Sequence, residues 1–454
     1  MRSANEKNRE LITEGPLARG IGLLAAPMLA GAVLQNLQSL IDLFWVGSLG
    51  PGAVASVAMA GTILMILFPM LMGLSTGTVA LVARAVGGKD WEEAGRAASQ
   101  SIMLAAVLGV LAGVIGWHYS GHLFRLLGAE PAVVTDGGAY LRISLLGSFT
   151  AFVLFIGNSA LQGAGDTLRP MYIMATANVL NIVLDPLFIF GLGPFPRMGV
   201  SGAALATVLS QAIAAVVSVH TLFSGRAHLQ LNPSQWKPDP ALAWRILRIG
   251  IPGSGQMLSR SLMSAVLMRI VAGCGTVAVA AYGTGLRFHM LILMPAFALG
   301  GAAATMVGQN LGAGRPDRAH RAAWLATGID ALFMACFSVL LMGFAAPLIR
   351  VFNADPAVVE IGVRYLRIVS PFYIPAALGI VLGRALNGAG DSLAPMIITI
   401  LSLWGLQVPL AVWLSHVWQP ATQGIWWAIS AAMTVNGLLT AGWFETGRWR
   451  HERV

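Results

Sequence analysis

Six residues able to bind a proton or a cation lie inside the most apolar runs of this chain: Asp42, Asn158, Asn178, Asn181, Asp185 and Thr207. A carboxylate held in hydrocarbon costs about 2.5–3.5 kcal/mol on insertion scales, so an acid that persists there marks a candidate site. Asn181 and Asp185 are four residues apart and share a helix face, and Pro186 beside them removes an amide hydrogen and loosens the backbone ladder. Carboxyls with amide and hydroxyl oxygens nearby can take up a proton or, if enough oxygens converge, sodium. The plainer alternative is that these groups hydrogen-bond helices together as packing.

Basic and metal-ligand types are sparser. Arg260 and Arg287 stand within or near the ends of apolar runs, where they either line a cleft or snorkel toward a carboxylate partner. Asp330 lies deep in another run and has no assigned role. His118 and His122 have metal-ligand spacing but no third ligand near, so no metal site is expected there. Cys274 and Cys336 are far apart and suggest neither a disulfide framework nor a CxxC site. The chain carries no HExxH, GxSxG or Walker A sequence, so a membrane-embedded enzyme is the weakest reading and no cofactor is expected.

The elements that must hold these residues are membrane spans. The 454 residues are 56% hydrophobic and 10% charged, against roughly 25% charged in a soluble chain, and the mean hydropathy is +0.74. Apolar windows place twelve helices near 21–47, 55–80, 98–117, 133–158, 170–194, 200–223, 247–272, 277–304, 322–344, 358–383, 395–416 and 423–443. An open sheet would leave unpaired backbone groups in lipid, so the fold class is all-α and polytopic. The net charge of +9 resides in the breaks between runs, which argues against nucleic acid as a partner. The first twenty residues are polar and the run after them has no evident cleavage site, so no removable signal peptide is expected.

Assigning the N-terminus to the cytoplasm puts Arg84, Lys89, Arg96, Arg226, Lys237, Arg245, Arg315, Arg321, Arg450 and Arg453 on that side, while the opposite loops hold little beyond Arg125, Arg197 and Arg350. That bias predicts cytoplasmic termini in a plasma-membrane protein. The expected organisation is a cytoplasmic segment over 1–20, a six-helix lobe over 21–224, a cytoplasmic linker over 225–243, a second six-helix lobe over 244–446 and a tail over 447–454.

The two lobes are copies. GAEPAVVTDGGAYLRI at 128–143 aligns with NADPAVVEIGVRYLRI at 353–368, and ALQGAGDTLRPM at 160–171 with ALNGAGDSLAPM at 385–396, both at an offset of 225. The same offset pairs Pro27 with Pro252 and Gly87 with Gly312. An even number of spans per copy predicts pseudo-two-fold symmetry about the membrane normal. Subtracting the copies isolates what the shared fold does not need: Asp42 faces Leu267, Asn158 faces Gly383, Asn178 faces Leu403, Asn181 faces Leu406, Asp185 faces Leu410 and Thr207 faces Ala432. In the other direction, Arg260 faces Gln35 and Arg287 faces Thr62. Asp42 and Asp185 fall about five and nine residues from the outer ends of their spans, roughly 8 and 13 Å at 1.5 Å per residue.

The run ITEGPLARGIGLLAAPMLAGAVLQNLQSLIDLFWVGSLG resembles the first helix of the multidrug and toxic compound extrusion (MATE) family, and VGQNLGAGRPDRA resembles its loop after the eighth helix. With NSALQGAGDT and NVLNIVLDP the resemblance covers essentially the whole chain and is nearest the DinF-type branch. It implies a cation site of Asp42, Asn158, Asn181, Asp185 and Thr207, and a bending proline at Pro27. GQMLSRSLM and FYIPAALGIVLG lack the acids that the NorM-type pattern places in the seventh and tenth helices, which argues against a sodium site in the second lobe. The resemblance implies an alternating-access antiporter that exports organic, cationic or amphipathic compounds. Asp42 and Asp185 would couple to protons, with sodium at Asp42, Asn181, Asp185 and Thr207 as the lesser choice. Gln35, Asn178, Arg260 and Arg287 would line the substrate path, and a monomer in the bilayer is expected. The competing reading is a lipid-linked sugar or peptidoglycan-precursor flippase of the same superfamily, whose pyrophosphate could meet Arg260 and Arg287.

Overall fold

The computed structural model describes residues 10–126, 128, 131–225 and 229–452. The expected segment 1–20, linker 225–243 and tail 447–454, with Arg226 and Arg453, lie partly outside these. Every regular element among them is helical. The first half runs α1 Leu17–Gly47, α2 Pro51–Leu64, α3 Phe68–Gly87, α4 Trp91–Leu126, α5 Pro131–Leu146, α6 Ser148–Gly163, α7 Leu168–Phe190 and α8 Val200–Phe223. The second runs α9 Pro240–Ala272, α10 Thr276–Gly312, α11 Pro316–Gly343, α12 Ala345–Phe352, α13 Pro356–Val369, α14 Tyr373–Ala377, α15 Gly383–Ala389, α16 Leu393–Ile400, α17 Val408–Val417 and α18 Ala421–Glu445. Two π-helical stretches, Leu378–Leu382 and Leu401–Gln407, join α14 to α15 and α16 to α17.

Among the described residues, ten helices or continuous helical runs are long and apolar enough to cross a membrane, and the pair 133–146 and 148–163, bent by 44°, makes an eleventh. α9 stands at the remaining place, 33 residues long with Arg245, Arg248, Arg260 and Arg269 along it. The twelve-helix, two-lobe layout holds, with two spans broken where the sequence reads continuous. The second divides into α2 and α3 at 65–67, where the amides of Ile66, Leu67 and Phe68 bond the carbonyls three residues back and Pro69 has no amide to offer. The fourth bends at Gly147, whose missing side chain admits Val208. On α4, Val107, Val110, Leu111, Val114 and Ile115 are all more than half exposed at helical spacing, an apolar stripe suited to lipid.

The repeat is visible in the turns. Gly50 and Gly275, 225 apart, have φ of 106° and 98°, and Gly165 and Gly390 have 86° and 98°, values only glycine adopts without strain. After the second pair, Asp166 and Asp391 accept from the amides of Arg169 at 3.2 Å and Ala394 at 3.3 Å, so GAGD is a turn and helix cap used twice.

The chain forms two compact units, one of Ala26–Ile251 and one of Leu11–Ala25 with Pro252 onward. Pro27 and Pro252 thus sit where α1 and α9 pass from one unit to the other. Within the second unit, Ile12 and Thr13 offer their carbonyls to Asn310 at 3.3 Å and Arg315 at 2.7 Å. Within the first, Arg245 at the start of α9 pairs with Glu93 at 2.7 Å. The described part of the linker also packs on the first unit: the Gln100 side chain donates to the Lys237 carbonyl at 2.6 Å, and Trp236 stacks on Phe223. The second unit's core centres on Trp426, with Tyr282 and Tyr365 at ring distances of 5.5 and 4.9 Å.

Candidate functional site

In the first unit α1, α7 and α8 bring four of the expected residues together. Asn181 and Asp185 are fully buried on one face of α7, Thr207 is half-buried on α8, and Asp42 is half-buried near the end of α1. The Asn181 amide donates to Asp185 Oδ1 and to Thr207 Oγ1, both at 3.4 Å, at the long, weak end of hydrogen bonding. The Thr207 hydroxyl donates to the Ala203 carbonyl at 3.0 Å, so its oxygen is left facing Asn181. Asp42 lies against both Asp185 and Asn181.

Three oxygens of this cluster, Asp42 Oδ1, Asn181 Oδ1 and Asp185 Oδ2, are buried without a hydrogen-bond partner among the described residues. An unsatisfied buried acceptor costs about 1–3 kcal/mol, so three such oxygens in one cluster mark it as a candidate place for a proton or a cation. Among the described residues, no basic side chain is part of the cluster. Two carboxylates held close together in such surroundings repel each other. A proton on either acid removes that repulsion and supplies a donor to the other.

Asn178, one turn before Asn181, donates to the Leu34 carbonyl at 2.7 Å and so ties α7 to α1 seven residues after Pro27. Asn158 is held elsewhere: it accepts from Ser218 at 3.2 Å, eleven residues beyond Thr207 on α8, or about 16 Å along the axis. Pro27 is buried within α1 and Gln35 is exposed on it. In the second unit Arg287 is exposed with its guanidinium 5.1 Å from the Phe352 ring centre, and Arg260 is half-buried. Asp330 is fully buried with both carboxyl oxygens unpartnered among the described residues. His118 bonds the Val114 carbonyl at 3.0 Å.

Two kinds of residue escape the sequence reading. Tyr140 on α5 is within electrostatic reach of both Asp42 and Asp185. Its mirror is Tyr365, so subtracting the copies cancels it. Arg384, within electrostatic reach of Arg260, faces Ser159 in the first copy and was open to the same subtraction.

A polytopic helical chain built as two copies, with one copy holding a cluster of buried acids, is a multi-pass membrane transporter and not an enzyme. The MatE family model matches residues 27–187 and again 252–413, each match starting at one of the mirrored prolines, and the chain belongs to that family. A probable multidrug resistance protein NorM of Thermotoga maritima is 29% identical over 435 residues, covering 95% of this chain and 93% of that protein. An FAD transporter of Shewanella oneidensis is 30% identical over 413 residues, covering 90% and 91%. The crystal structure of a MATE protein in the bent conformation superposes with a TM-score of 0.90 at 28% identity, covering 97% of each chain.

Proposed function

We propose that this protein is a proton-driven antiporter of the cytoplasmic membrane, with both termini in the cytoplasm, that exports organic compounds by alternating access. The observation that carries the reading is the apposition of Asp42 and Asp185, each with a buried oxygen that has no partner, and with no basic group between them, among the described residues. A proton entering from outside binds one carboxyl and bridges it to the other, drawing the end of α1 toward α7. Asn178 already anchors α1 to α7 through the Leu34 carbonyl, so the change is passed along α1 to Pro27, where the helix lacks an amide bond and bends most easily. Proton release to the cytoplasm restores the repulsion and resets the helix.

Sodium is the less favoured ion. It would need several of the side-chain oxygens of Asp42, Asn181, Asp185 and Thr207 arranged around it at once, whereas a proton needs one carboxyl. The relatives' names cover more than one cargo, multidrug for one and FAD for another, and support export of organic molecules broadly. In vesicles carrying a pH gradient, Asp42→Asn should abolish dye transport and Asp185→Asn should abolish or cripple it. Normal transport by both variants would remove the site.

A further inference from the structure

The two copies carry different charged residues at mirrored places within their spans. The first unit keeps Asp42 and Asp185 where the second has Leu267 and Leu410, and the second keeps Arg260 and Arg384 where the first has Gln35 and Ser159. Arg260 lies on α9 and Arg384 on α15, both within spans, and the two act on each other electrostatically. Among the described residues no carboxylate is near enough to act on either, and Asp330 is not among the groups that reach them. Each arginine is half-buried, so part of its surface stays open.

Two like charges within electrostatic reach of each other in a membrane-spanning unit are costly, and the surroundings accommodate them. In the first unit Ser75 and Ser159 hydrogen-bond at 2.8 Å. At the mirrored positions the second unit has Gly300 and Arg384, and a Cβ on Gly300 would come 2.9 Å from the Arg384 Cγ. The serine pair has thus given way to a glycine that clears room for the arginine stem. The Arg384 guanidinium then lies 5.4 Å from the Phe297 ring centre, which orients it. Both π-helical stretches lie near these two residues. Leu378–Leu382 ends two residues before Arg384, and Trp404, in Leu401–Gln407, donates to the hydroxyl of Ser259, next to Arg260, at 2.9 Å. The mirrored segments in α6 and α7 are ordinary α-helix, and π turns recur at functional sites. His289, bonded to the Tyr373 hydroxyl at 3.1 Å, is within reach of Arg260 and adds a polar group.

We infer that Arg260 and Arg384 form an anion-receiving site in the second unit, and that the exported compounds include organic phosphates, whose ester group these guanidiniums hold. A phosphate monoester carries a charge of about −1.5 to −2 at pH 7, which two guanidiniums match where a single carboxylate would not. The inference deepens the export reading by giving the cargo a charge, and revises the cationic cargo implied by family resemblance. Its test needs no gradient. Full-length protein in nanodiscs is equilibrated by dialysis with 4-methylumbelliferyl phosphate or with 4-methylumbelliferone, the same ring without phosphate. The phosphate ester should bind at least about tenfold more tightly than the neutral ring, and inorganic phosphate should compete with it. Arg260→Gln and Arg384→Gln should each weaken the ester by about tenfold or more and leave the neutral ring unchanged, while the lysine variants recover part of the loss. Gly300→Ala, which alters no charge, should weaken the ester by crowding Arg384, and Arg350→Gln, at an exposed position, should not. Equal binding of ester and neutral ring by the parent would overturn the site, as would glutamine variants that elute as the parent does and bind the ester as tightly. Either result would leave proton coupling standing, since coupling is read in vesicles under a gradient.

Discussion

Asn181 is the one side chain that touches every other member of the acid cluster, and replacing it with leucine isolates what the cluster contributes. Its amide supplies the hydrogen bond to Asp185 Oδ1 and the contact to Thr207, both at 3.4 Å. Bonds this long contribute at most the lower end of about 0.5–1.5 kcal/mol each, so the larger effect is the acceptor left behind. Stranding Asp185 Oδ1 beside Asp185 Oδ2, already unpartnered, costs about 1–3 kcal/mol, or about 5- to 150-fold in any step that needs that carboxyl in its native setting. The mirrored residue is Leu406, in a π-helical stretch, and the variant's elution reads whether it folds. Asn181→Leu should elute from gel filtration as the parent does and lose one to two decades of initial export rate in dye-loaded proteoliposomes under a fixed pH gradient. A folded Asn181→Leu protein that exports at the parental rate would refute the reasoning, because the acids would not depend on their one amide donor.

Other outcomes follow from the same arrangement. Leu267→Met and Leu410→Met, at the mirrors of Asp42 and Asp185, should leave gradient-driven export unchanged, and a large loss would show that the second copy carries coupling too. Cysteines introduced at Lys89 and Arg315 should react with an impermeant maleimide only from the cytoplasm and one at Arg197 only from outside; external labelling at Lys89 in intact cells would overturn the topology. Asp330→Leu removes a fully buried carboxyl with no partner among the described residues, so it should raise stability by about 1–3 kcal/mol in thermal unfolding, and a lowered midpoint would mean the carboxyl has a stabilising role.

What was legible in the sequence was whatever leaves a pattern in residue type. Apolar runs locate the spans because lipid tolerates little else, and the offset of 225 is exact enough that mirrored turns share both glycines and backbone angles. Subtracting the copies found Asp42, Asn181, Asp185 and Thr207, which the fold brings together, because polar groups in spans are costly wherever the shared architecture does not require them. The subtraction cannot see Tyr140, since the same residue type stands at Tyr365 and only its neighbours differ. Asn158 passed the same test as Asp185 yet sits with Ser218, because residue type says nothing of depth along a neighbouring helix. The π-helical stretches had no signal either: LGIVL and LSLWGLQ read as ordinary apolar helix.

The most direct test of the central claim is transport by the unmodified protein in sodium-free proteoliposomes loaded with dye. An imposed pH gradient should drive the dye against its concentration, and one proton moving through 100 mV supplies about 2.3 kcal/mol, enough for roughly a 50-fold gradient of a neutral compound. Dissipating the pH gradient with an ionophore should abolish the accumulation, and adding a sodium gradient in its place should not restore it. Transport that requires sodium and ignores the pH gradient would contradict the account.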